Sequence, residues 1–300
     1  MKPSRREDIV GIPVPVDALA RALDRHADYR IVRRMVPMER MEPRFPRTGE
    51  LSVCVVGLNT TGRDHLSDRI VELSIQTVRI DAHARIVQTA GNNSWLEDPE
   101  VEIPLELTRR TGIASPDVRG RRIADGEAYG ELVSADILLS HDARRDRPFL
   151  ERRLDLDPKP WICSRRDLDW VEQGFSGHSL ALLLLQCGWF FEGRRAAAEV
   201  GALLHLLDHR MESGVTALKE MLVGAGRATW TIEAVEAPVS AVELLKARGY
   251  RWNPARRAWT LPASELQVSR ERSWARNHVY SGTRDPLVRK VTWKERYRAT

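Results

Sequence analysis

Arginine dominates the stretches of this chain that could carry chemistry. Arg144 and Arg145 stand between two acids in Ser140-His-Asp-Ala-Arg-Arg-Asp-Arg-Pro-Phe-Leu150, and Arg194 and Arg195 precede Glu199 in Trp189-Phe-Phe-Glu-Gly-Arg-Arg-Ala-Ala-Ala-Glu199. A guanidinium is planar, permanently charged, and carries five N–H donors in a fork that fits phosphate or carboxylate. Two uses follow: bidentate binding of phosphate, or pairing of these arginines with Asp142, Asp146 and Glu199. A second set, Tyr250, Arg251, Trp252, Arg256, Arg257 and Trp259, interleaves aromatics with cations. Such a surface can stack bases and track phosphates, while Trp252 and Trp259 also suit the core of a small sheet. The candidate nucleic-acid contacts are thus Arg144, Arg145, Arg194, Arg195, Arg251, Trp252, Arg256 and Arg257. His141, His178 and His205 stand apart; His205, six residues beyond Glu199, turns onto another helix face.

The composition sets limits. At 300 residues and 42% hydrophobic content the chain can bury one large core or two modest ones. No apolar run approaches the roughly 18 residues of a membrane span, and Met1-Lys-Pro-Ser-Arg-Arg lacks a secretory apolar stretch. A cytoplasmic location without a membrane partner is expected. Cys54, Cys163 and Cys187 lie far apart and without Cys-x-x-Cys spacing, which argues against a disulfide framework or zinc site and for buried thiols. The net charge of +5 is uneven: residues 214–300 hold 16 Lys/Arg against 8 Asp/Glu, a surplus of 8, which leaves the first 213 residues at −3. A basic, tryptophan-bearing tail on a mildly acidic body points to polyanion contact, nucleic acid first, although a solvated basic surface gives the same count.

The elements that must position these groups follow from periodicity. Residues 1–48 read as an Arg/Pro-rich extension with one short helix from Val16. Leu51–Val56, Arg69–Ile80 and Arg85–Thr89 read as consecutive strands, and Ala135–His141 as another, before a helix from Arg147 with Pro148 in its first turn. Helices follow at Ser179–Cys187 and Arg195–His209, with a hinge near Ser213–Gly214. The tail reads as a strand at Thr229–Val235, a helix from Val239 stopped by Gly249, a hairpin around Asn253-Pro254, and a helix from Ala263 to Tyr280. Three units are expected: 1–48, 49–213 and 214–300.

Three ordered segments carry a family resemblance. Val56-Gly-Leu-Asn-Thr-Thr-Gly62, the Ser140–Leu150 stretch and the Trp189–Glu199 stretch resemble the motifs of DnaQ-like 3'-5' exonucleases of the DEDDh class, which includes the proofreading epsilon subunit of bacterial polymerase III. Ile103-Pro-Leu-Glu-Leu-Thr-Arg-Arg-Thr-Gly-Ile113 and Trp161–Trp170 resemble the stretches between those motifs, and Leu245-Lys-Ala-Arg-Gly-Tyr-Arg-Trp-Asn253 is similar to a unit that follows the domain in a bacterial subset. The resemblance implies an α/β fold, an RNase H-like mixed sheet flanked by helices, with a small α+β unit after it. It places the family's two first-motif acids at Gly57 and Asn59, its second-motif aspartate at Asp146, its catalytic histidine at Arg194 and its last metal-binding aspartate at Glu199.

Two-metal hydrolysis needs several carboxylates around paired Mg²⁺ or Mn²⁺ ions. Glycine supplies no ligand, and arginine, with a pKa above about 12, is no general base. The expectation is therefore a nucleic-acid-binding protein with a 3'-5' exonuclease fold, inactive or strongly impaired and needing no cofactor, with single-stranded or 3'-ended nucleic acid as partner. One alternative is residual metal-dependent exonuclease activity, with Mg²⁺ or Mn²⁺ on Asp146, Glu199 and Asn59. The other is a protein-interaction scaffold in a repair, replication or defence complex.

Overall fold

A computed structural model describes residues 15–299 apart from 37, 39, 40, 42 and 43; the start of the expected N-terminal extension lies outside them. The described lead-in holds helix α1 (Val16–Asp24), which buries no residue, and a short strand β1 (Arg33–Arg34). The expected strands form as β2 (Leu51–Thr60), β3 (Ile70–Ile80) and β4 (Ile86–Thr89), joined by β5 (Asn93–Leu96). Helices α2 (Leu105–Thr111), α3 (Ser115–Val118) and α4 (Asp125–Ser134) then lead to β6 (Ile137–Ser140). Next come α5 (Ala143–Leu154), β7 (Trp161–Cys163), α6 (Leu180–Gln186), β8 (Trp189–Phe190), α7 (Ala196–Asp208) and α8 (Ala217–Gly226).

The main sheet has the order β4-β3-β2-β6-β7, with β5 also on β3. Strands β2, β3 and β4 pair antiparallel through short links, whereas β2, β6 and β7 pair parallel, which requires the helical crossovers between them. This is the expected mixed sheet flanked by helices. Successive side chains on a strand point to opposite faces, so β2 is buried on both. Val53 and Val55 join α6, α7 and α8 in one core. Cys54, Val56 and Leu58 join α4 and α5 in the other. Gly57 and Asn59 therefore face α7.

Two boundaries differ from expectation. Helix α5 begins at Ala143 rather than Arg147, so Asp146 lies in its first turn and Pro148 is interior. Packing also continues across Ser213–Gly214: Ala217, Leu218, Met221 and Ala225 of α8 share a core with β2 and α7. Gly224 approaches the main domain so closely that a Cβ there would meet the Asp167 carbonyl oxygen at 1.9 Å. The lead-in is tied down as well, with β1 parallel to β8 and Arg34 forked onto Glu192.

The C-terminal unit contains β9 (Thr229–Val235), α9 (Val242–Ala247), β10 (Arg251–Asn253), β11 (Ala258–Ala263), α10 (Glu265–His278) and a further strand, β12 (Leu287–Val291). Its sheet order is β10-β11-β9-β12, antiparallel throughout. Beyond β12 the chain returns to the main domain. The wholly buried Arg147 side chain donates from Nη2 to the Lys294 carbonyl (2.7 Å) and from Nη1 to the Arg296 carbonyl (2.7 Å), and its Nε meets Glu151 at 2.8 Å. Arg296 and Tyr297 both donate to Asp167 Oδ1 at 2.8 Å.

Arg147→Ala removes a wholly buried cation together with its donors to two backbone carbonyls, and leaves Glu151 only the longer contact to Arg298 at 3.5 Å, a change of about 3–5 kcal/mol. The expected result is a fall of roughly 10 °C in thermal midpoint, with only partial recovery in Arg147→Lys, whose single ammonium does not reproduce the fork. A midpoint unchanged in Arg147→Ala would remove this clamp from the account.

Candidate functional site

The face of the sheet beneath α7 is organised by Glu72. Its register partner across β2 and β3 is Asn59, and only 1% of Glu72 is exposed. One carboxylate oxygen accepts from Asn59 Nδ2 (2.9 Å) and from the Ala196 backbone N–H (2.9 Å); the other accepts from Arg195 Nε (2.7 Å). A carboxylate suits the first turn of a helix, where backbone donors and the positive end of the helix dipole are exposed. A strand buried on both sides leaves its polar residue only the helix end to satisfy.

The cap holds α7 down on β2. A Cβ built at Gly57 would lie 2.9 Å from the Ala196 carbonyl oxygen and 2.9 Å from Val200 Cγ2. Position 57 is thus closed by backbone as well as by side chain, and a longer side chain has no room unless α7 shifts. Asn59 is 3% exposed, and its second contact is donation from Nδ2 to the Arg194 carbonyl (3.0 Å), while its Oδ1 faces Arg110 Nη2 at 3.4 Å. Asn59 therefore works as a strut, engaged at both ends of its amide.

Beside this seam lies a cleft of about 510 Å³ that brings together Gly57, Arg144, Arg145, Asp146, Arg194 and Glu199. Asn59 and Arg195 are absent from its lining. Of the three residues suggested for a residual metal, the cleft brings together Asp146 and Glu199, while the Asn59 amide nitrogen is given to Glu72 and Arg194. Among the described residues no group of three or more His, Cys, Asp or Glu side chains is arranged to hold a metal ion.

Instead the cleft holds a cation of its own. Arg145 donates from Nε to Asp146 Oδ1 (2.9 Å), brings Nη2 to 2.7 Å of the same oxygen, and donates from Nη2 to the Leu58 carbonyl at 3.3 Å. Burial pushes the Asp146 carboxyl above its ordinary value, with Arg145 opposing that shift. Glu199 is pushed up by burial too, and Arg145, Arg110 and Arg194 oppose it. Burial likewise lowers His141 to about 4, so its imidazole, bonded to Ser164 Oγ at 2.8 Å, is neutral at pH 7.

Sequence reasoning missed three cleft arginines, Arg63, Arg165 and Arg166. Arg165 pairs with Asp142 (3.3 Å). Arg144, Arg166 and Arg194 are exposed and, like Arg63, their guanidinium groups enter no hydrogen bond or ion pair among the described residues. The only legible signal was the Arg165-Arg166 pair, which stands in the Trp161–Trp170 segment. The two uses considered for the arginines are thus divided between them: Arg145 and Arg195 pair with acids, Arg144 and Arg194 do not.

The C-terminal candidates do not share one surface. Trp252 lies opposite Trp259, whose neighbours include the core beneath α10, and the two indoles meet edge to face at 5.8 Å. Arg251 precedes Trp252 on the same strand and so points to the opposite face, where Arg256 and Arg289 approach Glu233 at 3.9 and 3.1 Å. Arg257 sits in the turn between β10 and β11 with φ of 48°. Trp252 is 51% exposed, but it does not lie among these arginines.

The chain matches no family model and no curated protein. Solved structures give distant likenesses. One titled "Exonuclease X in complex with 5' overhanging duplex DNA" aligns at 17% identity over 57% of this chain and 99% of that one, with a TM-score of 0.40. A 3'-exonuclease recognising a histone mRNA stem-loop aligns at 14% over 52% and 79%, with a TM-score of 0.39. E. coli Exonuclease I in complex with a dA16 oligonucleotide aligns at 11% over 82% and 64%, with a TM-score of 0.44.

Two substitutions test the geometry. Gly57→Ala is expected to destabilise the protein by about 1–3 kcal/mol, as overpacked cores do, measured by denaturant unfolding; a neutral result would mean that α7 is free to move. Glu199 has a raised folded pKa, so its contribution to stability is fully present below the ordinary 4.5 and is lost as pH rises through the folded value. Glu199→Gln lacks that loss. Its thermal midpoint relative to the parent chain is therefore expected to rise between pH 4 and pH 7, and a flat or falling difference would contradict the assignment.

Proposed function

We propose that this chain binds nucleic-acid strands in the cleft between β2, α5 and α7 and does not cleave them. The observation that carries the reading is the seat of Arg145. Its guanidinium lies between Asp146 and the Leu58 carbonyl, while α7 closes over Gly57. A two-cation centre needs carboxylates to bridge and surround the ions, and the residues around this cleft do not fit one: position 57 has no side chain or room for it, Asn59 is engaged, and a fixed cation faces Asp146. The cleft keeps six arginines against Asp142, Asp146 and Glu199, a formal surplus of three positive charges. A surplus of this sign attracts phosphate without requiring a metal to neutralise the site first.

The resemblance of the three motifs to those of 3'-5' exonucleases supports a strand end as the ligand, and the basic C-terminal unit extends the favourable field. An assay with end-labelled single-stranded DNA and RNA in Mg²⁺ or Mn²⁺ is expected to show binding without shortening. Robust trimming that Asp146→Ala abolishes would establish residual hydrolysis instead. Binding should weaken steeply between about 50 and 200 mM salt, since phosphate contacts release counterions; no binding at low salt would leave the scaffold role.

A further inference from the structure

Resting on that strand-binding reading, we propose that the cleft selects a strand terminus bearing a phosphate monoester over a hydroxyl terminus. The cleft draws its charge from four separate segments. Arg63 comes from the loop after β2, Arg144 from α5, Arg166 from the segment after β7, and Arg194 from the turn before α7. None of the four guanidinium groups enters a hydrogen bond or ion pair among the described residues.

The other two cleft arginines are fixed by acids. Arg145 is held by Asp146, and Arg165 by Asp142. Only Glu199 remains on the acidic side, and its carboxylate makes no hydrogen bond among the described residues; Arg145, Arg110 and Arg194 act on it through their charge alone. The donors left for a ligand therefore outnumber what an internal phosphate can take. A diester carries one negative charge and two non-bridging oxygens. A monoester carries about −1.5 to −2 at pH 7 and three strong acceptor oxygens, so with the neighbouring diester it approaches the cleft's formal surplus of three. Phe191 and Leu180 add an apolar wall to the same cleft, where the sugar and base of the last nucleotide can pack.

The chemistry is shared by a 3'-phosphate and a 5'-phosphate, and the experiment separates them. Internally labelled decanucleotides, identical except for a 3'-phosphate, a 5'-phosphate or hydroxyls at both ends, would be titrated with the full chain at 50 mM salt in EDTA. One phosphorylated strand, the one whose end enters the cleft, is expected to bind at least about tenfold tighter than the hydroxyl strand, the scale of a charge-assisted hydrogen bond. Arg144→Ala with Arg194→Ala should erase that preference; both side chains are exposed and unpaired, so the fold is retained, as the thermal midpoint would verify. Equal, salt-sensitive binding of all three strands would overturn the selectivity and leave strand binding intact. Absence of binding by all three would overturn both.

Discussion

The carboxylate of Glu72 sets the geometry on which the rest of this site depends. It is nearly inaccessible, lies on a strand buried from both sides, and answers three donors: the Asn59 amide, the Arg195 guanidinium and the first backbone N–H of α7. Unpaired, it would be a costly buried charge; paired, it fixes how close α7 comes to β2. The close contact at Gly57, the burial of Asn59 and the position of Glu199 along the cleft all follow from that distance. Glycine at position 57 therefore has a packing role that the absence of a carboxylate alone does not convey.

On the other side of β2, α5 supplies charge in two grades. Arg145 and Arg147 are two residues apart in one helix, yet Arg145 reaches back to the strand that carries Leu58 while Arg147 points into the seam with the C-terminal segment. Arg144 alone of the three stays in solvent and unpaired. A helix whose successive residues point about 100° apart thus serves the cleft, the domain seam and the surface from one short run of arginines. The three thiols take no part: Cys54 and Cys163 are pushed up to about 12 by burial and Cys187 to about 11, as inert core groups are.

Much of the fold is legible in the sequence because burial leaves a local signature. The apolar run from Leu51, the alternation from Ile70 and the leucine block from Leu180 announce themselves without reference to the rest of the chain, and the hairpin at Asn253-Pro254 carries its own turn chemistry. The site is legible in position but less so in role. Gly57 and Asn59 are recognisable as altered places; that one is sealed and the other a strut depends on α7, whose approach no local pattern encodes. Glu72 reads as strand polarity until the register sets it opposite Asn59. Arg147 is indistinguishable by type from Arg144, Arg145, Arg152 and Arg153. Trp252 and Arg251 are different: strand alternation alone separates their faces, and reading them as one surface overlooked a rule the sequence already contained.

The Arg147 clamp also orders events in time. Its two carbonyl acceptors belong to Lys294 and Arg296, so during synthesis α5 emerges long before the groups that will satisfy it. Domains generally fold from the N-terminal side as they leave the ribosome, but here Nη1 and Nη2 of Arg147 are left to water until the segment after β12 arrives. Final consolidation of the first domain is thereby coupled to completion of the second, and a chain interrupted after β11 would hold every cleft residue without the closure that keeps α5 in place.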